Sequence, residues 1–334
     1  MSTHPDHAAL PDPDVSGPVV DPDQRIVDPH HHLWPDGGAL PYSLDDLHAD
    51  AFGAGHRVER TVFVECHAAY RTDGPAHLRP VGETEFVAGE AHRDPRRLIG
   101  GIVAHADLTD HDHLDEVLDA HTDAAGGLFR GIRHAGSHAI DPAPLMIPGR
   151  APAGLYADPA FRRGVAHLGA RGLTYDTWHY HYQNREFLDL ARAVPDTLLV
   201  LDHFGTPLGV GEYAGRRDEI FAAWKDDIAD IARCENVVAK LGGLAMPDNG
   251  FGWHETGAPS SDEFVAAQAR YYLHTIECFG PERCMFESNF PVDRFSLGYR
   301  VLWNALKKIA APFTPTERDA MFYGTASRVY RLEP

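Results

Sequence analysis

Short apolar runs alternate with longer amphipathic stretches along most of this chain, and that alternation limits the possible folds more than any other feature of the sequence. Runs of four to seven residues rich in Val, Ile and Leu are typical of buried strands. The predicted strands cover residues 26–29, 61–65, 98–104, 128–133, 173–177, 198–202, 237–241 and 284–289. Eight strands, each followed by a longer polar and apolar stretch, indicate a repeating strand and helix unit.

The stretches between these strands have the length and the start signals of helices. They cover residues 44–52, 84–93, 113–124, 159–170, 184–193, 219–234, 261–279 and 297–309, and a last helix covers 316–330. Eight strand-then-helix units without a break in composition favour an α/β fold with one closed (β/α)8 TIM barrel over two domains. The alternative is an open doubly wound sheet. That fold would be expected to have a glycine-rich phosphate-binding turn after an early strand, and the sequence has none.

The N-terminal residues differ in composition from the rest of the chain. Residues 1–24 are rich in Pro, Asp and His and show no periodicity. We therefore predict that they form a disordered or draped tail. The barrel, with its C-terminal helix, is expected to cover residues 25–334.

The charge balance narrows the partners that we expect. With 49 acidic and 30 basic residues, the net charge is −19 when His is neutral. Such a surface repels phosphate backbones and anionic membranes, so we expect no nucleic acid and no membrane partner. The four cysteines form no CxxC pair, and no apolar run is long enough to span a membrane, so a cytoplasmic protein is expected. The sequence leaves open whether the chain forms a homo-oligomer.

Three consecutive histidines follow the first predicted strand. In an extended chain alternate side chains share a face, so His30 and His32 point to one side and His31 points to the other. Two neutral imidazoles at a strand end suit a divalent transition metal, although they need further ligands from elsewhere in the chain. The alternative is a polar loop in a chain that has 22 histidines.

Polar residues at the ends of the other strands extend this candidate site. In a (β/α)8 barrel the C-terminal strand ends form one rim, which is where the chemistry takes place. Each such residue alone is more often a helix cap or a loop contact, but their coincidence on one rim indicates a functional site. The candidates are Glu65, His67, His105, Arg130, Arg133, His134, Asp176, Trp178, His179, His181, Asp202, His203, Lys240, Glu287 and Asn289.

Four segments resemble, in order, the signature sequences of the amidohydrolase-related family. They are DPHHHLW at 28–34, FRGIRH at 129–134, VLDHFG at 200–205 and MFESNFPV at 285–292. Residues 323–332 are similar to the family's closing helix, so the resemblance covers roughly residues 25–332. The branch that contains lactonases is the most similar, and metal-dependent decarboxylases are more distant relatives. The resemblance implies a barrel of the amidohydrolase type and a lactonase-like hydrolase.

The resemblance also implies a metal centre. His30 and His32 match the family's strand-1 pair and His203 matches its strand-6 histidine, so these three are the expected ligands of one divalent metal, with zinc as the expected ion. The family's strand-8 aspartate, a weak ligand and general base, is Asn289 here, and an amide cannot accept a proton at working pH. Some lactonases of this branch are thought to work without a tightly held metal, so cofactor content stays open.

Substrate contacts are predicted around this centre. Arg130 and Arg133 present cationic forks suited to a carboxylate or a carbonyl group, so we expect a small, anionic substrate. Residues three apart on a strand face opposite ways, so at most one of the two arginines points into the barrel unless the other lies in the loop. Further contacts are expected from an aromatic and imidazole group on the rim, for which packing beneath the next loop is the alternative. These residues are Trp178, His179, His181 and His105.

The asparagine on strand 8 leaves the general base open. Glu287 lies two positions earlier on the same face and is the first candidate, while Glu65 is the rival base. The alternative for Glu287 is an ion pair with Lys240 on the adjacent strand. The leading prediction is hydrolysis of a lactone, or of a related carbonyl group of a small organic acid, by water activated at His30, His32 and His203. A lyase on the same scaffold and a catalytically silent ligand-binding barrel are the alternatives.

Overall fold

A barrel of eight parallel strands forms the centre of the protein in the computed structural model, which describes residues 17–35 and 40–332. The strands are β1 Arg25–His31, β2 Arg57–Val64, β3 Ile99–Ala104, β4 Phe129–Arg133, β5 Thr174–Thr177, β6 Leu199–Leu201, β7 Val237–Leu241 and β8 Cys284–Phe286. Each strand pairs with the next one in the chain. Hydrogen bonds from His32 N to Phe290 O (2.8 Å) and from Asn289 N to His30 O (3.0 Å) join the segment after β8 to β1. The predicted (β/α)8 barrel is confirmed.

The helices lie between the strands, close to where the sequence predicts them. They are α1 Leu44–Gly53, α2 Val81–Arg93, α3 Leu114–Ala125, α4 Pro159–Ala170, α5 Asn184–Ala193, α6 Arg217–Ile231, α7 Trp253–Thr256, α8 Ser261–Phe279, α9 Tyr299–Ala310, α10 Pro315–Asp319 and α11 Thr325–Val329. The last predicted helix is divided, because a π-helical turn at Ala320–Gly324 separates α10 from α11. No helix in residues 17–35 or 40–332 is long and apolar enough to cross a membrane.

The interior of the barrel changes in character from one end to the other. One part of it is filled by valines, a methionine and residues of the C-terminal segment. This group consists of Val27, Val62, Val64, Val103, Val200, Val238, Met285, Ala326, Val329 and Tyr330. Two positions beyond Val200, Val238 and Met285, the inward residues are Asp202, Lys240 and Glu287. Because side chains two apart on a strand share a face, the same strands present apolar groups below and charged groups above.

A β-bulge in β1 turns His30 toward the barrel interior. Asp28 pairs with Thr61 and His31 pairs with Phe63, so three residues of β1 match two residues of β2. Asp28 faces α9, where the Tyr299 hydroxyl donates to it at 2.9 Å. In a regular strand His30 would share the face of Asp28, and the extra residue reverses this.

The described part of the predicted N-terminal tail, residues 17–24, lies against α9. Val20 N donates to Asn304 Oδ1 at 2.8 Å, and Lys307 Nζ donates to the carbonyl oxygen of Asp21 at 2.7 Å. Both partners on α9 are buried. The rest of the predicted tail, residues 1–16, lies outside the described residues.

Candidate active site

The C-terminal end of the barrel holds a buried cluster of charged and imidazole side chains, contributed by seven of the strands or the turns that follow them. The cluster consists of His30, His32, Glu65, Arg133, Asp176, Asp202, His203, Lys240, Glu287 and Asn289. The exposed fractions of these side chains separate an outer group from an inner, fully buried group. Arg133, His32 and His203 keep 6%, 4% and 3% of their surface exposed, whereas His30 and Lys240 keep none. The first three therefore lie where a substrate can contact them.

The three histidines predicted to form the metal centre lie close together. The His30 ring lies 4.5 Å from the His203 ring and 5.0 Å from the His32 ring, measured between centroids. His32 Nδ1 lies 2.8 Å from the carbonyl oxygen of Val64. Since a carbonyl only accepts, Nδ1 carries the hydrogen and Nε2 keeps its lone pair in the neutral ring. Burial lowers the pKa of His30 and of His32 well below the usual value, so both rings are neutral.

Arg133, at the end of β4, is held in place by Glu65, which follows β2. Its Nε donates to Glu65 Oε1 at 2.7 Å, and its terminal nitrogens contact the Glu65 carbonyl oxygen and, at 3.4 Å, His30 Nε2. Burial raises the pKa of Glu65, but the Arg133 charge outweighs it and brings that pKa down to about 2. A carboxylate with so low a pKa is a weak base. The geometry therefore favours Glu65 as the group that orients Arg133.

Lys240 pairs with two aspartates, which had been candidates on the rim without an assigned role. Its Nζ lies 2.9 Å from Asp176 Oδ2 and 3.1 Å from Asp202 Oδ1. Burial opposes the charge on Lys240, but the carboxylates outweigh it and raise the pKa, so the ammonium stays charged. The predicted alternative, an ion pair of Lys240 with Glu287, gives way to these pairs. The same-face rule applied from Val238 to Lys240 was the signal that places this lysine inside.

Glu287 lies between two of the histidines. Its Oε1 is 2.7 Å from His203 Nδ1, and its Oε2 is 3.0 Å from His30 Nδ1. Burial raises the pKa of Glu287 to about 8, although Lys240 acts in the opposite direction. Burial lowers the pKa of the His203 imidazole to about 3, so Glu287 is the member of this pair that titrates near neutral pH.

Asn289, which replaces the family's aspartate, is engaged by a neighbouring carboxyl group. Its Nδ2 donates to Asp293 Oδ1 at 2.9 Å. Asp293 Oδ2 accepts from Ala245 N at 3.1 Å, so both carboxylate oxygens are in use. The Asn289 backbone has a φ of 56°, which is uncommon for a residue with a side chain. The amide is thus held in one orientation beside the cluster.

Arg130 does not reach this site, which corrects its predicted role in substrate binding. It lies at the start of β4, where its guanidinium donates to the carbonyl oxygens of Gly127 (2.7 Å) and Gly100 (3.1 Å). A strand rises by about 3.3 Å per residue, so Arg130 begins about 10 Å below Arg133 along the barrel. It also lies at the irregularity in the pairing of β3 with β4, where Ile102 pairs with Phe129 but Val103 with Gly131.

The predicted aromatic and imidazole wall is only partly at the rim. His105 lies there, with Nδ1 3.1 Å from the carbonyl oxygen of Arg133 and its ring 5.3 Å from that of His67. His179 is fully buried against Asn184 Oδ1 (3.0 Å), and His181 Nδ1 accepts from Leu208 N (3.3 Å). These two histidines pack beneath the following loops, which was the alternative. Trp178 is half-buried beside Tyr180, at 6.0 Å between ring centroids.

The donor chemistry of the cluster fits a divalent cation. The ligand atoms of His30, Asp202 and His203 all lie within 4.8 Å of one another. Both Asp202 carboxylate oxygens are buried without a hydrogen-bond partner among the described residues, although Lys240 forms an ion pair with Asp202 Oδ1. Two imidazoles and a carboxylate are common ligands of transition metals. Asp202 thus joins His30 and His203 in this group, and the assignment of His32 as a ligand stays a prediction.

Comparison with known proteins places this barrel and its cluster in a family. Residues 27–332 match the family model described as Amidohydrolase. An uncharacterized protein of Sinorhizobium fredii, y4mH, is 32% identical over 323 residues, which cover 93% of this chain and 99% of that protein. The chain belongs to the amidohydrolase family, and it is an enzyme of the amidohydrolase superfamily.

Two matches from Burkholderia multivorans bear on the chemistry of the site. One, an L-fucono-1,5-lactonase, is 27% identical over 325 residues, covering 92% of this chain and 96% of its own. The other is a solved amidohydrolase structure with bound zinc, which is 26% identical, covers 92% of this chain and 99% of its own, and has a TM-score of 0.71. The first is a lactonase and the second holds a metal, and both resemble this chain over nearly its whole length.

Proposed function

We propose that this enzyme hydrolyses a lactone of a small organic acid. The observation that carries the proposal is the contact of His203 with Glu287, at 2.7 Å, in the same cluster as the Arg133 guanidinium. The first pair exchanges protons and the second group polarises a carbonyl, which are the two functions that ester hydrolysis requires. The similarity to an L-fucono-1,5-lactonase supports a lactone as the substrate class.

In the proposed reaction, the Arg133 guanidinium donates to the carbonyl oxygen of the lactone. The His203 and Glu287 pair takes one proton from a water molecule as its oxygen attacks the carbonyl carbon. Arg133 then faces the oxyanion of the tetrahedral intermediate. The bond between that carbon and the ring oxygen breaks, and the pair returns the proton to the leaving oxygen. The product is the open hydroxy acid, and the His203 and Glu287 pair ends in its starting state.

The charges of the cluster favour a neutral carbonyl over an anion at Arg133. Arg133 already pairs with Glu65, and its terminal nitrogen lies 3.8 Å from Asp202. We therefore propose that the ring carbonyl, and not a carboxylate of the substrate, contacts this guanidinium. The expected anionic character of the substrate remains a prediction, and any acidic group would have to be bound farther out on the rim.

With a divalent metal bound, the lone pair of His203 would go to the ion, so Glu287 would be the member of the pair that accepts the proton from water. His30, Asp202 and His203 would hold this metal, and zinc is the ion that we propose. Such an ion supplies Lewis acidity toward a carbonyl oxygen or a water molecule. The proton transfers and contacts described above belong to side chains of the chain itself.

The test is turnover of a panel of 1,4- and 1,5-lactones of aldonic acids, followed by proton release with a pH indicator. We expect hydrolysis of at least one lactone, and a loss of at least about 100-fold in kcat for His203→Asn and Glu287→Gln. His111→Asn is the matched control, because His111 is exposed and its Nε2 lies 2.9 Å from the carbonyl oxygen of Ala160. Rates at the uncatalysed level for every lactone, or equal rates for His203→Asn and the native enzyme, would contradict the proposal.

Decarboxylation is the second candidate, and the observation in its favour is Asn289. The Asn289 amide is bonded to Asp293, so the site lacks the carboxylate to which the resemblance assigns the general base of hydrolysis. Loss of carbon dioxide needs stabilisation of a carbanion, which Arg133 and Lys240 can provide as cations. Release of carbon dioxide from hydroxybenzoates, in the absence of any lactone hydrolysis, is the result that would favour this candidate.

A further inference from the structure

Lys240 lies where a bound cation would lie in the candidate metal site. Its Nζ is 3.1 Å from Asp202 Oδ1 and 3.2 Å from His30 Nδ1. These are two of the three residues whose ligand atoms converge, the third being His203. The ammonium group therefore contacts the same side chains that a divalent ion would need.

The lysine has little freedom to leave this position. It is fully buried, and its third contact, Asp176 at 2.9 Å, lies deeper in the barrel. Asp176 also accepts a hydrogen bond from the hydroxyl of Tyr330, which reaches it from the C-terminal segment below. The Lys240 ammonium lies 5.4 Å from the centre of the Tyr330 ring, a cation–π distance. Asp176 and Tyr330 thus anchor the lysine from the side opposite to the candidate ligands.

We propose that Lys240 is a built-in cation that competes with divalent metal ions for His30 and Asp202, and so keeps the metal affinity of this enzyme low. Two cations that share ligands a few ångström apart repel each other strongly in a buried site. An ion that takes Asp202 must therefore displace the ammonium or bind with fewer ligands. This inference concerns the cluster alone and holds whether or not the substrate is a lactone.

Zinc affinity of the purified full-length enzyme tests the proposal directly. Zinc alone is titrated in competition with a chromophoric chelator, and the dissociation constant is compared for the native enzyme, Lys240→Met and Lys240→Gln. We expect both substitutions to tighten binding by at least about 10-fold at one ion per chain, because the competing charge is gone while the ligands remain. Adding Asp202→Asn to Lys240→Met should abolish the gain, since the shared carboxylate is then lost.

The matched control is Lys308→Met, which removes a lysine charge paired with Asp262 on the outside of the barrel. It should leave the zinc affinity unchanged and so corrects for binding by surface histidines. A folded Lys240 variant with the native zinc affinity would overturn the proposal, where folding is judged by circular dichroism and a cooperative melt.

A second measurement needs no substitution, in case the Lys240 variants do not fold. Anomalous scattering from a zinc-soaked crystal of the native enzyme shows whether zinc and the amine share Asp202. Exclusion of zinc from the cluster, or zinc bound with the lysine displaced, supports the competition. Zinc bound to Asp202 while Lys240 Nζ stays in contact with the same carboxylate would refute it.

Discussion

Arg133 shows how one side chain can be fixed precisely enough for electrostatic catalysis. Glu65 holds it through the side chain and through the backbone carbonyl, and His30 lies against its third nitrogen. A planar fork that meets several acceptors at once loses little freedom when it binds one more. The remaining 6% of exposed surface is then available to a substrate oxygen.

Replacement of Arg133 by Lys is expected to lower kcat/KM by about 10-fold to 100-fold, because an ammonium keeps the charge but cannot reproduce the fork. The kinetics are measured with the best lactone of the panel. Arg130→Lys is the control, since it makes the same exchange on the same strand at the other end of the barrel, where its partners are backbone carbonyls. Equal kinetic effects of the two substitutions would show that Arg133 has no special part in turnover.

The hydrogen bond between Asn289 and Asp293 supports a second prediction at the residue scale. Asn289→Asp would place two buried carboxyl groups at hydrogen-bond distance, so it should lower the free energy of unfolding by at least about 2 kcal/mol at neutral pH. Urea denaturation measures this loss. The exchanged variant Asn289→Asp with Asp293→Asn restores a donor and an acceptor, so most of the stability should return. A stable single variant would mean that Asp293 does not depend on the amide.

The exchanged variant also tests which group is the general base. It carries a carboxylate at position 289, as the family does, without the repulsion that the single variant suffers. If the site only lacks its base, hydrolysis by the exchanged variant should exceed that of the native enzyme. If Glu287 and His203 perform that function, the rate should stay near the native value.

The turn after β7 shapes the site at the scale of elements. Gly243 has a φ of 72°, and a Cβ built there would lie 2.2 Å from His203 Nδ1. The turn can therefore pass the imidazole only if this residue has no side chain. Since the same nitrogen contacts Glu287, the turn and the proton-exchanging pair are packed against each other.

Gly243→Ala should reduce kcat by at least about 100-fold, because the His203 ring must move away from Glu287. Gly215→Ala is the control: its φ is 75°, but nothing lies within 4 Å of the added Cβ, so it meets the same backbone strain without the collision. Both variants should lose about 1 to 2 kcal/mol of stability from the left-handed backbone, measured in urea. Full activity in Gly243→Ala would show that His203 tolerates displacement.

The elements themselves were largely predictable from the sequence, because strand and helix periodicity are local. The predicted strands at 237–241 and 61–65 coincide with β7 and with the end of β2. The predicted strand at 284–289 is longer than β8, because the chain leaves the sheet after Phe286 and enters the turn that carries Asn289. Periodicity cannot show where the last residues of a strand lose their partners.

The site was harder to predict, because it depends on register and on pairs between distant residues. The histidine spacing in β1 suggested the correct direction for His30, but the β-bulge that produces it depends on pairing with β2. The roles of Asp176 and Asp202 follow from their ion pairs with Lys240, which lies on another strand. The two arginines of β4 look equivalent in the sequence, and only their height in the barrel separates them.

At the scale of the whole molecule, the buried charged cluster lies above a closed apolar layer of the barrel. The valine layer and Tyr330 close the barrel below the cluster, so buried charges find partners in one another rather than in water. Such pairs are costly to bury and are retained where they serve specificity or chemistry. Buried polar groups also find partners outside the barrel, where residues 17–24 cover two polar side chains of α9.

Lys307 on α9 connects this N-terminal segment to the stability of the whole protein. It is 3% exposed, and its Nζ contacts the Asp21 carbonyl oxygen (2.7 Å) and His56 Nδ1 (2.9 Å). Burial lowers the pKa of Lys307 to about 8, and nearby Asp21 opposes this only in part. Between that value and the ordinary pKa of about 10.4, the folded state holds fewer protons than the unfolded state.

The stability that this lysine contributes should therefore rise as the pH increases from 8 to 10. Below pH 8 the folded protein carries a constant penalty of up to about 3 kcal/mol for the buried charge, and the penalty disappears as Lys307 loses its proton. Urea unfolding of the native enzyme and of Lys307→Met at pH 7, 8, 9 and 10 measures it, and the difference should shift toward the native enzyme with increasing pH. Lys308→Met, on the same helix but paired with Asp262, controls for loss of a lysine. A difference that stays constant across this range would show that Lys307 is not held in a buried state by the N-terminal segment.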